Sequence, residues 1–87
     1  LQNYPDDVRL YKMRAESYAG LGRIAQQHQA LAEAFALQGQ TSPAVQQLEL
    51  AQREARQFQE QSMIDSRLRV LRAQVLEERK AANQSPF

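Results

Sequence analysis

The chain has 87 residues, enough for one small domain, and a chain of this length buries only about 60–65% of the surface that its unfolded form exposes. A large catalytic cleft is therefore not expected. There is no cysteine and only one histidine, so the chain offers no disulfide, no thiolate nucleophile and no cysteine-based zinc site. The net charge of +1 excludes the strong positive field of a nucleic-acid or anionic-membrane binder.

The residue types predict an all-α fold. The sequence is rich in Ala, Gln, Leu, Arg and Glu, which favour helices, whereas glycine and proline are rare. β-branched residues are scarce, and no stretch alternates apolar and polar residues over the length of a strand. No stretch approaches the roughly 20 apolar residues of a membrane span. Because the first residue is Leu1, we expect this chain to be a module of a longer protein.

The first two predicted helices cover residues 6–20 and 23–38. Pro5 suits the first turn of a helix, and the two aspartates that follow it favour the positive end of the helix dipole. The segment Gly20-Leu21-Gly22 is expected to end the first helix. Gly39 is suited to the left-handed conformation that ends the second.

The third and fourth predicted helices cover residues 43–57 and 61–81. Thr41-Ser42-Pro43 is typical of a helix cap followed by a first-turn proline. The fourth helix carries apolar residues at alternating spacings of four and three, opposite a charged face, which is typical of a terminal capping helix. Residues 1–82 are therefore predicted to form one domain, with 83–87 as a disordered tail. The apolar stripe of the fourth helix consists of Ile64, Leu68, Leu71 and Val75.

A repeat is indicated by Gly22 and Gly39, which lie 17 residues apart, half the roughly 34-residue period of a tetratricopeptide repeat. The signature of that repeat places small residues where helices approach closely and large ones beside them. An ordinary four-helix hairpin array without repeat ancestry is the alternative. One match to the signature consists of Tyr11, Arg14, Ala15 and Tyr18, and a better one of His28, Leu31, Ala32, Phe35, Gly39, Ala44, Leu48 and Ala51.

Five runs of sequence resemble a specific family: Tyr11 to Gly22, Gln29 to Glu33, Leu37 to Gly39, Ala44 to Leu48, and Ser62 to Arg72. They are similar to the C-terminal tetratricopeptide region of bacterial periplasmic zinc metallopeptidases of the beta-barrel assembly-enhancing type. The resemblance implies an antiparallel, right-handed helix-turn-helix array of four helices. It also implies a periplasmic location and a role in outer-membrane protein assembly or quality control.

In that family an N-terminal HExxH domain performs the hydrolysis and holds the zinc. This chain has no HExxH motif, so no catalytic residue can be transferred to it, and we expect it to be a non-enzymatic part that holds no cofactor. The resemblance implies a protein partner or peptide segment, with the outer-membrane assembly machinery as a candidate. Neither nucleic-acid binding nor membrane insertion is expected.

Two alternative sets of residues are candidates for partner binding. In tetratricopeptide arrays, polar residues of the first helix of each pair line the inner surface, but the half-repeat overlap does not decide which helix here is the first. One set is Arg9, Lys12 and Glu16, and the other is Gln26, Gln29, Glu33 and Leu37.

Several other side chains have simple structural interpretations. His28 lacks a second histidine or a cysteine and is expected to be packed or half-exposed rather than a metal ligand. Tyr11, Tyr18 and Phe35 occupy repeat positions, which favours core packing over a peptide-binding patch. The arginines of the fourth helix are expected on a solvated face, interleaved with acidic residues; they are Arg67, Arg69, Arg72 and Arg79.

Two functions remain as hypotheses. The first is a non-catalytic module that binds a partner or substrate segment along a groove. The second is a structural or self-association domain that braces the protease without an external partner, for which apolar residues such as Leu37, Val70 and Leu76 are the motivation.

Overall fold

The computed structural model describes residues 5–84, with side chains from residue 6 onward, and these residues form an all-helical fold without strands. The all-α prediction is confirmed. Each helix is joined to the next by three residues, so consecutive helices run antiparallel. The four helices are α1 (Pro5–Gly20), α2 (Ile24–Leu37), α3 (Thr41–Glu54) and α4 (Phe58–Asn83).

The first two linkers have the same geometry. Gly22 and Gly39 both have φ of +74°, the left-handed conformation that glycine adopts without strain. The amide of Arg23, directly after the first of these glycines, donates to the carbonyl of Tyr18 at 2.9 Å, and the equivalent bond after Gly39 measures 3.0 Å. Both turns are therefore Schellman motifs, and the left-handed conformation expected for Gly39 is confirmed.

The helices pack on one another in chain order, and each of the three consecutive pairs is in close contact. The Cα atoms span 49 × 29 × 15 Å, so the array is thin in one direction. The core lies between α2, α3 and α4, with small side chains where the helices cross. Its buried members are Ala25, Ala32, Ala44, Leu48, Ala51, Ala55, Ile64, Leu68 and Leu71, and Phe35, Ala36 and Val45 pack against them.

The predicted start of the third helix is corrected. Helix α3 begins at Thr41, two residues before the predicted position, and the preceding Gln40 makes no side-chain capping bond. The Thr41 side chain is buried, and its hydroxyl donates to a carboxylate oxygen of Glu78 on α4 at 2.9 Å. Ser42 lies inside the first turn of the helix. Thr41 thus joins α3 to α4, and neither residue caps the helix.

The junction between α3 and α4 is also corrected. Helix α3 ends at Glu54 and α4 begins at Phe58, each three residues earlier than predicted. Ala55 is extended and buried in the core, which turns the chain without glycine or proline. The Gln61 side chain donates to the Ala55 carbonyl at 2.9 Å and satisfies an acceptor that the end of α3 leaves open.

The remaining boundaries lie close to the predicted ones. The bounds of α1 and α2 agree with the sequence to within one residue. Helix α4 extends to Asn83, so the first residue of the predicted tail 83–87 is helical. Residues 85–87 lie outside the described residues.

Two glycine substitutions should have opposite effects on stability. We expect Gly39→Ala to lower the free energy of unfolding by about 1–2 kcal/mol, because alanine is strained at positive φ although no atom lies within 4 Å of the added Cβ. Gly20→Ala, at the last residue of α1 and equally unobstructed, should raise it by about 0.5 kcal/mol. Urea unfolding followed by circular dichroism measures both values, and equal effects would contradict the role assigned to Gly39.

Candidate functional site

An open groove of about 380 Å³ crosses one face of the array. Helix α2 runs along its middle, α1 and α4 form its sides, and Leu48 of α3 contributes to its floor. Among its lining side chains are Tyr11, Arg14 and Tyr18 from α1, Gln26, Gln29, Ala30 and Glu33 from α2, and Met63 and Arg67 from α4.

The structure brings together three residues of one predicted partner-binding set. Gln26, Gln29 and Glu33 follow one another along α2 at helical spacing and all line the groove. All three are half-buried. Leu37, the fourth member of the set, is half-buried near the end of α2 and does not line the groove.

The other predicted set lies on a different face. Arg9, Lys12 and Glu16 are exposed on α1, and none of them lines the groove. At about 100° per residue they stand roughly 100–160° around the helix from Tyr11, which does. Three of the four residues in the α2 set therefore line the groove, and none of the three residues in the α1 set does.

The groove has two apolar edges. Tyr11 and Tyr18, expected in the core, are instead half-buried in the wall that α1 provides. Phe35 packs against the core as expected. On the other side, Met63 and Val70 are 67% and 55% exposed and line a shallow apolar depression that continues the groove along α4.

Sequence reasoning missed the contribution of α4 to this surface. Met63, Ser66 and Val70 line the continuation of the groove, and they have the same i, i+3, i+7 spacing as the α2 residues Gln26, Gln29 and Glu33. That shared spacing is the signal that would have found them. The α4 residues are apolar or small, whereas the inner surface of a tetratricopeptide array is expected to be polar.

A bidentate ion pair joins α2 to α4 within the groove. Nε and Nη2 of Arg67 donate to the two carboxylate oxygens of Glu33, both at 2.8 Å. Hydrogen bonding to this carboxylate raises the pKa of Arg67 above its ordinary value. Because the guanidinium stays charged throughout the ordinary pH range, the pair fixes the spacing of the two helices with planar, two-point geometry.

Arg14 is the other cation of the groove. Its guanidinium carbon lies 5.2 Å from the centre of the Tyr11 ring, within the range of a cation–π contact. Within residues 6–84 it makes no ion pair. Since Arg67 is neutralised by Glu33, Arg14 gives this surface its local positive charge.

Three of the four arginines of α4 are exposed, as the sequence predicts, and Arg67 is half-buried. Polar contacts also attach α4 to the preceding helices. Arg72 pairs with Glu49 at 2.9 Å, and Gln52 donates to Asp65 at 2.7 Å. Together with the Arg67 pair, these contacts attach α4 along its length. The partners are 13 to 34 residues apart, so no local pattern reveals them.

His28 is half-buried, as expected from the sequence. Its Nδ1 lies 2.7 Å from the side-chain oxygen of Gln47 on α3. This separation is that of a hydrogen bond between the two side chains. The histidine therefore contributes to the contact between α2 and α3.

Comparison of the chain with protein-family models, with curated proteins and with solved structures found no match. Within the part that the structure describes, no three His, Cys, Asp or Glu side chains are grouped so that they could hold a metal ion. None of the helices from Pro5 to Asn83 is both long and apolar enough to cross a membrane.

A double-mutant cycle should detect the ion pair across the groove. We expect Glu33→Gln and Arg67→Gln to show a coupling energy of about 0.5–1 kcal/mol, because the geometry is bidentate but more than a third of the Arg67 side chain is exposed. Urea unfolding of the four proteins measures the coupling, which should shrink in high salt. As a control, Glu33→Gln and Arg79→Gln should be additive, since no pair joins these two residues. Equal coupling in both cycles would refute the assigned contact.

Proposed function

We propose that this chain is a non-catalytic interaction module that binds an extended protein segment in the groove formed by α1, α2 and α4. The observation that carries the proposal is the arrangement of the groove, in which amide side chains at the centre lie between two apolar edges. The amides of Gln26 and Gln29 are suited to hydrogen bonds with the backbone of an extended segment. Because the side chains of such a segment alternate in direction, one edge can accept every second side chain.

The two edges suit different side chains. Tyr11 and Tyr18 form an aromatic wall, and Met63 is a flexible apolar side chain that adapts to several shapes. Arg14 adds a positive charge that favours a carboxylate on the bound segment. Since the groove is open and small, we expect micromolar affinity rather than nanomolar.

The proposal extends to the parent protein. The five runs that resemble the tetratricopeptide region of periplasmic zinc metallopeptidases support placing this module in such a protease. There it would present a partner or substrate of the outer-membrane assembly pathway. Zinc and the hydrolytic residues would then belong to another domain of the longer protein. The matching turns at Gly22 and Gly39 support the repeat architecture on which this assignment depends.

The residues that first motivated self-association do not form one surface. Leu37 is half-buried, Val70 belongs to the groove and Leu76 is exposed on another side of α4. They do not support the alternative in which the chain only braces a protease. A different apolar face, on α1, bears on self-association.

Peptide selection tests the groove. A phage-displayed library of random heptapeptides would be selected on the immobilised chain, and the enriched peptides labelled and titrated by fluorescence anisotropy. We expect Gln26→Ala/Gln29→Ala to weaken binding of the selected peptides by about tenfold, because two hydrogen bonds to the peptide backbone are lost. Met63→Glu should weaken the binding of peptides with apolar side chains.

The matched control is Arg9→Ala/Lys12→Ala, which alters the residues 17 positions earlier in the chain and outside the groove. It should leave the affinity within twofold of the original. If the control weakened binding as much as the groove variant did, or if no peptide were enriched, the groove would not be the binding site.

A further inference from the structure

Helix α1 has an exposed apolar stripe on the side away from α2. Leu10 and Met13 are 46% and 57% exposed, and exposed Ser17 lies one turn after Met13. Leu21, in the linker directly after the helix, is 68% exposed and extends the stripe. Ala15, on the other side of the helix, is buried. The stripe is distinct from the groove.

The internal repeat indicates what kind of element fits this stripe. Moving forward 17 residues, Met13 and Ser17 correspond to Ala30 and Ala34 of α2. Both alanines are buried, but they do not belong to the core that α2 shares with α3 and α4. Helix α1 packs against α2. Met13 and Ser17, at the middle of the stripe, therefore occupy positions that in α2 are buried on the side away from that core.

The next contact along the chain has the same register. A hydrogen bond joins His28 of α2 to Gln47 of α3. Seventeen residues earlier, these positions are Tyr11 and Ala30, which line the groove together. A further step of 17 residues takes Ala30 to Met13. Gln47 of α3 and Ala30 of α2 thus lie at equivalent positions, on the side of each helix that the preceding helix covers. Met13 is the equivalent residue of α1, and it is exposed.

We infer that the α1 stripe is a self-association surface on which α1 of a second copy lies antiparallel, about a two-fold axis. In this pairing Leu10 of one copy lies opposite Leu21 of the other, and the large Met13 lies opposite the small Ser17. A symmetric pairing uses the same face on both chains and therefore closes as a dimer. It continues the antiparallel helix stacking already present between α1, α2 and α3.

Charge favours the same orientation. Asp6 lies one turn before Leu10 on the stripe, and Arg23 follows α1 at its other end. Within one chain the two are separated by the 16-residue helix, about 24 Å, and neither pairs with another residue between 6 and 84. Antiparallel pairing places Asp6 of each copy beside Arg23 of the other.

Helix α4 is a poorer partner for the stripe. Its face opposite the buried residues Ile64 and Leu68 carries Ser62, Arg69 and Lys80, all of them exposed and polar. Stacking α4 on the largely apolar stripe of the next copy would desolvate these polar groups. The pairing of α1 with α1 is therefore favoured over head-to-tail stacking, in which α4 of each copy would lie on α1 of the next. Because it involves one short helix from each chain, we expect a micromolar dissociation constant.

Sedimentation velocity of the full chain from micromolar to millimolar concentration tests the dimer. The original sequence should shift from monomer to dimer and not beyond. Met13→Glu places two carboxylates in the contact and should raise the dissociation constant by at least about tenfold. Leu76→Glu makes the same change at an equally exposed apolar residue on α4 and should leave it unaltered. Circular dichroism confirms that both variants remain helical.

Charge reversal tests the antiparallel register. Asp6→Lys and Arg23→Glu should each weaken self-association severalfold, because each places like charges together twice per dimer. An equimolar mixture of the two variants should dimerise as tightly as the original chain. In a dimer with one copy of each variant, position 6 of each copy lies beside an opposite charge at position 23 of the other. A mixed dimer is the only species in which this rescue can occur, because the two residues of one chain lie at opposite ends of α1.

Three results would overturn the inference. The first is a monomer at all concentrations, which would leave the stripe to a helix of another protein. The second is growth beyond the dimer, which would indicate stacking of α1 on α4. The third is an absence of rescue in the mixture, which would exclude the antiparallel register.

Discussion

The close approach of neighbouring helices at alanine side chains is the constraint on which this fold depends. Ala32, Ala44 and Ala51 have no exposed surface, and only four large side chains in the described residues are fully buried. Each of those four contributes about 1.5–3 kcal/mol, so the core is thin and offers little reserve. A larger side chain at any of the three alanines would overfill the core that α2, α3 and α4 share. The large buried residues are Leu48, Ile64, Leu68 and Leu71.

The parts of the fold that depend on local chemistry could be predicted from the sequence. Gly22 and Gly39 adopt positive φ, so their positions predict two linkers to within one residue. The third linker contains neither glycine nor proline, and its place is fixed by burial of Ala55 and by the bond from Gln61. Those are contacts between elements, which periodicity cannot show. For the same reason Thr41 reads as a helix cap in the sequence, although its hydroxyl joins α3 to α4.

The candidate site was predictable only as a pair of alternatives. Gln29 and Lys12 occupy the same position of the 17-residue register, so no local feature separates them. Gln29 lines the groove and Lys12 does not, because equivalent positions on consecutive antiparallel helices have different neighbours. Helix α2 lies beside α4 at the groove, whereas α1 forms the opposite wall. The ion pair between Glu33 and Arg67 connects these two helices across 34 residues of sequence. The spacing of Tyr11 favours core packing over an aromatic patch, because a half-buried tyrosine has the same spacing as a core residue.

The groove and the α1 stripe are adjacent, and this links the two proposals. Arg14 lines the groove, while Leu10 and Met13, within one turn of it, belong to the stripe. A dimer paired through α1 would therefore place two grooves side by side, related by the two-fold axis and running in opposite directions. A partner with two binding segments could then occupy both, and the second contact would form at high effective concentration. Micromolar affinity at a single groove would thereby become tight binding of a bivalent partner, with no contact beyond those already present in each copy.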